Sequence, residues 1–314
     1  MVLALLAVLA GLVLLTKAAD VFVGGAARLS AALKVPPVII GAAVIGFGTS
    51  APEMVVSAIA AGQGKLDIAA GNIIGSNVAN LSLVLGVAGL ICAMTVTSGI
   101  LRREAPLSTA AVVLFAVLVQ GGLQRWEGVV LLVALFAAMA YLFLGGDGGD
   151  EELLAEVDEF LDEEEAISTK REGLLTFAGL LGVIIGAQLA VTGASTIADE
   201  LGLGEGFVGV TLIAVGTSLP ELMTAIAAAR KDEHDLILGN LLGSNLFNSL
   251  AVGAIAGLVG PGALTDDKLA SIGVPAMVVV AVAAWAFMAT SRTVVKWEAV
   301  TLLAIYVITV PLLA

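Results

Sequence analysis

Residues 41–90, GAAVIGFGTSAPEMVVSAIAAGQGKLDIAAGNIIGSNVANLSLVLGVAGL, are answered 168 positions later by residues 209–258, GVTLIAVGTSLPELMTAIAAARKDEHDLILGNLLGSNLFNSLAVGAIAGL, with 20 identities in 50. The identities gather in two blocks: GTSAPE (48–53) against GTSLPE (216–221), and GNIIGSNVAN (71–80) against GNLLGSNLFN (239–248). Self-similarity at one fixed offset is the mark of an internal repeat. Each block lies within an apolar run, and each breaks the rules of such a run. Pro removes a backbone donor and clashes with the preceding turn. Gly loosens the helix, and a carboxylate in the membrane costs several kcal/mol unless it is paired or coordinated.

The rest of the chain has the same apolar character. Of 314 residues, 59% are hydrophobic and 13% charged, with a mean hydropathy of +1.07. Apolar runs of about 20 residues, the length that crosses a bilayer, predict spans near 3–30, 37–62, 68–93, 104–121 and 126–144. Five more follow, near 173–200, 206–230, 235–259, 270–290 and 295–313. The first lacks a basic leader and a cleavage site, and is expected to remain as an uncleaved helix. The expected fold is an all-α membrane protein of ten transmembrane helices. Because the offset of 168 spans five helices, an odd number, the second copy enters the membrane from the opposite side. Two inverted-topology five-helix repeats are the architecture of many secondary transporters, with ion sites near the midplane at the repeat interface.

Charge divides the chain and orients it. The formal net charge is −13, but Asp147–Glu165 alone carries 11 of the 27 acids and no Lys or Arg. An acidic segment, 145–172, thus separates a first half, 1–144 (ion-binding motifs within 41–90), from a second, 173–314 (motifs within 209–258). Its like-charge run reads as a solvated linker. The balanced remainder offers no basic face for nucleic acid. With the N-terminus outside, the inner connections receive Arg28, Lys34, Arg102, Arg103, Lys170, Arg171, Arg230, Lys231, Arg292 and Lys296. The outer ones receive Lys65, Arg125 and Lys268. The positive-inside rule therefore predicts both termini outside and 145–172 cytoplasmic. With no organelle-targeting signal, the cell (cytoplasmic) membrane is the expected location. A lone cysteine, Cys92, and a lone histidine, His234, read as excluding a disulfide framework and a Cys- or His-based metal centre. His234 reads as a solvated loop residue.

The two blocks supply carboxylates, hydroxyls and amide oxygens, hard donors suited to Ca2+, Na+ or Mg2+. They are Thr49, Ser50, Glu53, Ser76 and Asn80 from the first copy, and Thr217, Ser218, Glu221, Ser244 and Asn248 from the second. At α-helical spacing Ser76 and Asn80 share a face, as do Ser244 and Asn248. Asn77 and Asn245 point a quarter-turn away and are expected to cap the broken helices. Gly71, Gly75, Gly239 and Gly243 are spaced for close helix packing.

At these residues the chain resembles the sodium/calcium exchanger family of the calcium/cation antiporter superfamily, in its prokaryotic type, whose repeats look like GxGTSxPE followed by GNxxGSNxxN. The resemblance covers both repeats and, through ten helices, the whole chain. It implies that Glu53 and Glu221 are central Ca2+ ligands shared with Na+, and that Thr49, Ser50, Ser76, Asn80, Thr217, Ser218, Ser244 and Asn248 complete the side-chain oxygens. It also implies carbonyl ligands from Gly46 and Ala214. Asn248 stands where several relatives carry Asp, which leans against K+ dependence. The implied activity is alternating-access exchange of Na+ for Ca2+, with no cofactor, the lipid bilayer as surroundings and a monomer sufficient for transport. Spans 1 and 6, with Gly11, Gly24, Gly25, Gly179, Gly182, Gly186 and Gly193, would slide against a core of spans 2, 3, 7 and 8. Two glutamates are neutralised by one Ca2+ or two Na+. Exchange of three Na+ would therefore carry one net charge, worth about 2.3 kcal/mol per 100 mV. A Ca2+/H+ antiporter using the same glutamates is the alternative. A channel would need a continuous pore, and an aspartyl protease would need two intramembrane aspartates that this chain lacks.

Overall fold

The computed structural model describes residues 1–33, 50–144 and 168–313. Its first half runs α1 (Val2–Ala32), α2 (Ala51–Gly62), α3 (Leu66–Ile91), β1 (Met94–Thr95), α4 (Ile100–Gly121) and α5 (Arg125–Leu144). The second runs α6 (Thr169–Leu201), α7 (Glu205–Thr217), α8 (Leu219–Ala229), α9 (His234–Val259), α10 (Leu269–Thr290), β2 (Thr293–Val294) and α11 (Lys296–Leu313). Among the described residues eight helices are long and apolar enough to cross a membrane, nine if α7 and α8, bent by 45°, are counted as one span. The chain is thus a multi-pass helical membrane protein. Of the expected span 37–62 only α2 lies within the described residues, and most of the acidic segment lies outside them. α6 begins at Thr169, four residues before the expected 173.

The helices sort by burial. α3 and α9, which carry the GNxxGSNxxN blocks, are 83% and 78% buried, whereas α1, α4, α5, α6, α10 and α11 are 22–44% buried. The peripheral helices turn large apolar side chains outward, Phe136 on α5, Phe177 on α6 and Val307 on α11 among them. In water such surface would be a liability; in lipid it is the solvated face. The centre therefore belongs to the repeated motifs.

α1 and α6 pack against each other in antiparallel fashion through small residues. A Cβ on Gly193 would meet Ala4 O at 2.7 Å, one on Gly186 Leu15 N at 2.6 Å, and one on Gly179 Phe22 N at 2.5 Å. A Cβ on Gly25 would come within 2.9 Å of Thr176 Oγ1. Backbones this close admit only glycine, the device by which membrane helices pack tightly. Gly24 does not join the seam; it faces the guanidinium of Arg28 on its own helix. At the end of the seam Arg28 Nε pairs with Glu172 Oε2 at 2.8 Å, and Glu172 is 1% exposed.

The connections also cross between halves. β1 pairs antiparallel with β2, with Met94 opposite Val294 and Thr95 opposite Thr293. Leu123 and Gly262 form a two-bond bridge, N to O at 2.9 Å each way. His234 is not a solvated loop residue: it opens α9, and its Nδ1 lies 2.8 Å from Thr95 Oγ1.

Candidate cation site

Each GTSxPE block places its serine outside helical geometry at the start of a new helix. Ser50 has φ −92°, ψ 7° and Ser218 has φ −87°, ψ 5°, and each is followed by a new helix with Pro at its second position. These angles fall in the sparsely populated bridge region common at functional sites. Proline is tolerated there because a first-turn N–H has no helical partner to lose. Serine at such a position normally accepts a hydrogen bond from an N–H one turn on. Neither Ser50 nor Ser218 does so, and both hydroxyls are buried without a partner.

Glu53 and Glu221 stand in the first turns of α2 and α8, where the helix N-terminus favours negative charge. They are 1% and 4% exposed and within electrostatic reach of each other. Neither takes part in an ion pair among the described residues. Both oxygens of Glu53 and Oε2 of Glu221 have no hydrogen-bond partner. Two buried carboxylates without a basic side chain are costly when charged.

The GNxxGSNxxN blocks are buried in the same way. Ser76, Asn80, Ser244 and Asn248 are at most 3% exposed, and Ser76 Oγ, Asn80 Oδ1, Ser244 Oγ and Asn248 Oδ1 are unpartnered. The helices that carry them widen into π-helical turns at Ala79–Val84 and Asn248–Val252. Four-residue spacing thus overstates how regularly these side chains stack, and π turns often mark functional positions. Among the described residues thirteen buried side-chain atoms lack a partner, and ten of them belong to Ser50, Glu53, Ser76, Asn77, Asn80, Ser218, Glu221, Ser244 and Asn248.

The other expected ligands are differently placed. Thr49 and Gly46 lie outside the described residues. Thr217 is buried, and its hydroxyl bonds to Asn72 Oδ1 at 3.3 Å and Ala214 O at 3.2 Å. Ala214 O also accepts from Ser218 N at 3.0 Å, so that carbonyl is engaged within its own helix.

Asn77 and Asn245 do not cap the broken helices. Asn245 Nδ2 donates to Asn77 O at 3.0 Å, while its Oδ1 accepts from Asn80 Nδ2 at 3.0 Å. Asn77 Nδ2 donates to Ser249 Oγ at 3.0 Å. Sequence reasoning also missed Asn72, which donates to Ser57 Oγ at 3.1 Å and accepts from Thr217. Asn72 and Ser249 hold the donors in place. The available signal was the identity of Asn72 with Asn240 inside the repeated block.

Fold and site together define a multi-pass helical membrane protein with a buried cluster of hard oxygen donors drawn from both halves. Within that class the chain belongs to the sodium/calcium exchanger family, since the profile described as sodium/calcium exchanger protein matches residues 3–144 and 173–313. The family consists of membrane ion exchangers that transport Na+ and Ca2+. The chain is 39% identical over 267 residues to the putative antiporter CaxA of Alkalimonas amylolytica, covering 84% of this chain and 83% of the relative. It is 29% identical to sodium/calcium exchanger MaX1 of Methanosarcina acetivorans over 96% of each chain. Among solved structures it is similar to the sodium-calcium exchanger NCX_Mj soaked with 2.5 mM Na+ and 0.1 mM Ca2+. That likeness has a TM-score of 0.64 at 30% identity, over 99% of this chain and 98% of that one.

Proposed function

We propose that this chain exchanges Na+ for Ca2+ by alternating access, with the ions held near the midplane between Glu53 and Glu221. The observation that carries this reading is the set of buried, unpartnered oxygens on Ser50, Glu53, Ser76, Asn80, Ser218, Glu221, Ser244 and Asn248, with α3 and α9 hydrogen-bonded to each other across the two halves. Carboxylate, hydroxyl and amide oxygens suit Ca2+ and Na+, and a cation would offset two carboxylates that have no basic partner. Ser50, Ser76, Asn80, Ser218, Ser244 and Asn248 complete the proposed shell. Thr49, Thr217 and the carbonyls of Gly46 and Ala214 are the remaining proposed ligands.

The chain is read as two inverted five-helix repeats, 1–144 and 173–314, joined by 145–172, with ten crossings. Two features favour this reading: α3 and α9 coincide end for end at the 168-residue offset, and the matching helices α1 and α6 run antiparallel. The Lys and Arg distribution supports both termini outside and a cytoplasmic 145–172. α1 and α6 are the moving pair. Leu12 of α1 rests on Gly216, one residue before Thr217, so movement of the pair is felt at the break in α7–α8.

The test is 45Ca2+ uptake into proteoliposomes loaded with Na+ and diluted into Na+-free buffer, beside a pH-gradient control and the Glu53→Gln and Glu221→Gln variants. Uptake that requires internal Na+ and disappears in both variants supports the proposal. Uptake that follows the proton gradient instead assigns Ca2+/H+ exchange, and unchanged transport in either variant removes the glutamates from the site.

A further inference from the structure

We propose that Cys92, Asp232 and His234 form a binding site for a zinc-class divalent metal ion, at the membrane face where the end of α3 meets the turn between α8 and α9. The sequence separates Cys92 from the other two by about 140 residues, yet Sγ, a carboxylate oxygen and a ring nitrogen all lie within 4.8 Å of one another. The lone cysteine and lone histidine, read from sequence as excluding such a centre, are thus brought to one place. His234 Nε2 stands 3.9 Å from Asp232 Oδ1. Ligand atoms around a tetrahedral zinc ion are spaced about 3.3–3.8 Å, given bonds of about 2.0–2.3 Å. Closure therefore needs a shift of up to about 1.5 Å, within reach of the exposed Asp232 side chain.

Three further observations point to a ligand. His234 Nδ1 is held by Thr95 Oγ1 at 2.8 Å, which aims the opposite nitrogen into the cluster, the outer-shell arrangement that orients metal-bound histidines. That nitrogen, Nε2, is buried and has no hydrogen-bond partner. Asp235 Oδ1 is likewise buried and unpartnered, and it lines the same open cavity of about 380 Å³ with Thr95, Asp232 and His234. A water molecule can supply the fourth ligand. Asp232 is placed by backbone geometry, its φ of 58° closing a turn on Ala228 and Ala229. Asp is among the few side chains that tolerate this conformation.

The donor set fixes the class of ion. One thiolate, one imidazole and one carboxylate suit Zn2+, Co2+ or Cd2+, whereas Ca2+ and Na+ prefer all-oxygen shells. This separates the cluster from the transport site.

The experiment titrates untagged full-length protein in detergent with Co2+, in a Glu53→Gln/Glu221→Gln background so that the transport site does not contribute. One equivalent should bind with a thiolate-to-cobalt charge-transfer band, which Zn2+ removes and a tenfold excess of Ca2+ does not. Cys92→Ser should abolish the band, and His234→Ala should weaken binding at least tenfold. Asp232→Gly keeps the left-handed turn, so a tenfold weakening there reports a lost ligand and not a misfolded loop. Absence of the band, or unchanged affinity in both His234→Ala and Asp232→Gly, would overturn the site.

Discussion

The side chain of Asn245 donates to the backbone carbonyl of Asn77 at 3.0 Å, so a residue of the second half satisfies a helix carbonyl of the first. The carbonyl lies just before the π turn at Ala79, where regular helical bonding gives way. The same amide accepts from Asn80. Asn245 therefore ties together two helices that both present donors to the candidate site.

Asn245→Leu preserves bulk and removes both bonds, leaving Asn77 O and Asn80 Nδ2 buried without partners. The expected loss is about 2–6 kcal/mol at about 1–3 per stranded group. It would be read as a lower Tm in detergent. An unchanged Tm would mean that water or a neighbour takes over both bonds.

Ser50→Ala and Ser218→Ala should behave unlike ordinary N-cap changes. A capping serine is worth about 1 kcal/mol, but these hydroxyls make no cap bond. Stability should shift by less than about 0.5 kcal/mol, the range of changes away from any structural feature. The KM for Ca2+ should rise up to about tenfold, the equivalent of about 1.4 kcal/mol. A large fall in Tm with unaltered KM would assign the hydroxyls to structure.

The α1–α6 seam can be wedged open without touching a proposed ligand. Gly186→Leu would drive side-chain atoms into Leu15 N and Gly11 O, whereas Gly24→Ala meets only the flexible end of Arg28. Overpacking of this kind costs about 1–3 kcal/mol. Na+-driven 45Ca2+ flux should fall more than tenfold in Gly186→Leu, with Ca2+ binding to detergent-solubilised protein retained, while Gly24→Ala transports normally. Normal flux in Gly186→Leu would argue that the pair does not move.

Arg28→Gln leaves the buried carboxylate of Glu172 with Arg171 Nη1, 3.5 Å away and on a side chain 60% exposed, as its basic neighbour among the described ion pairs. A charge-assisted bond is worth about 1.5–3 kcal/mol, so Tm should drop accordingly. The double variant Arg28→Gln/Glu172→Gln should recover part of it, since the uncompensated charge is then gone. A double variant less stable than the single would contradict this account.

Sequence carried much of the fold. Apolar run length placed α3, α9 and α11 within about two residues of their ends, because a bilayer imposes both length and composition on a span. GTSxPE was legible as a break because Gly and Pro act on the local backbone. The π turns at Ala79 and Asn248 were not, since they change the helical step without a distinctive residue. Nor were the bonds from Asn245 to Asn77 and Asn80, or from Asn72 to Thr217, which depend on how two distant helices approach. Cys92 and His234 were each dismissed singly for the same reason.

The Asn77–Asn245 bond also sets a schedule. Its partners are 168 residues apart, so at 5–20 residues per second the ribosome needs roughly 8–30 s to deliver the second after the first. Throughout that interval the nascent first half must hold Glu53, Ser76, Asn77 and Asn80 in the bilayer without the groups that later face them. Biosynthesis thus passes through a half-made stage in which α3, 83% buried in the finished protein, still lacks the helix that will cover it, and insertion machinery and membrane quality control meet the chain there.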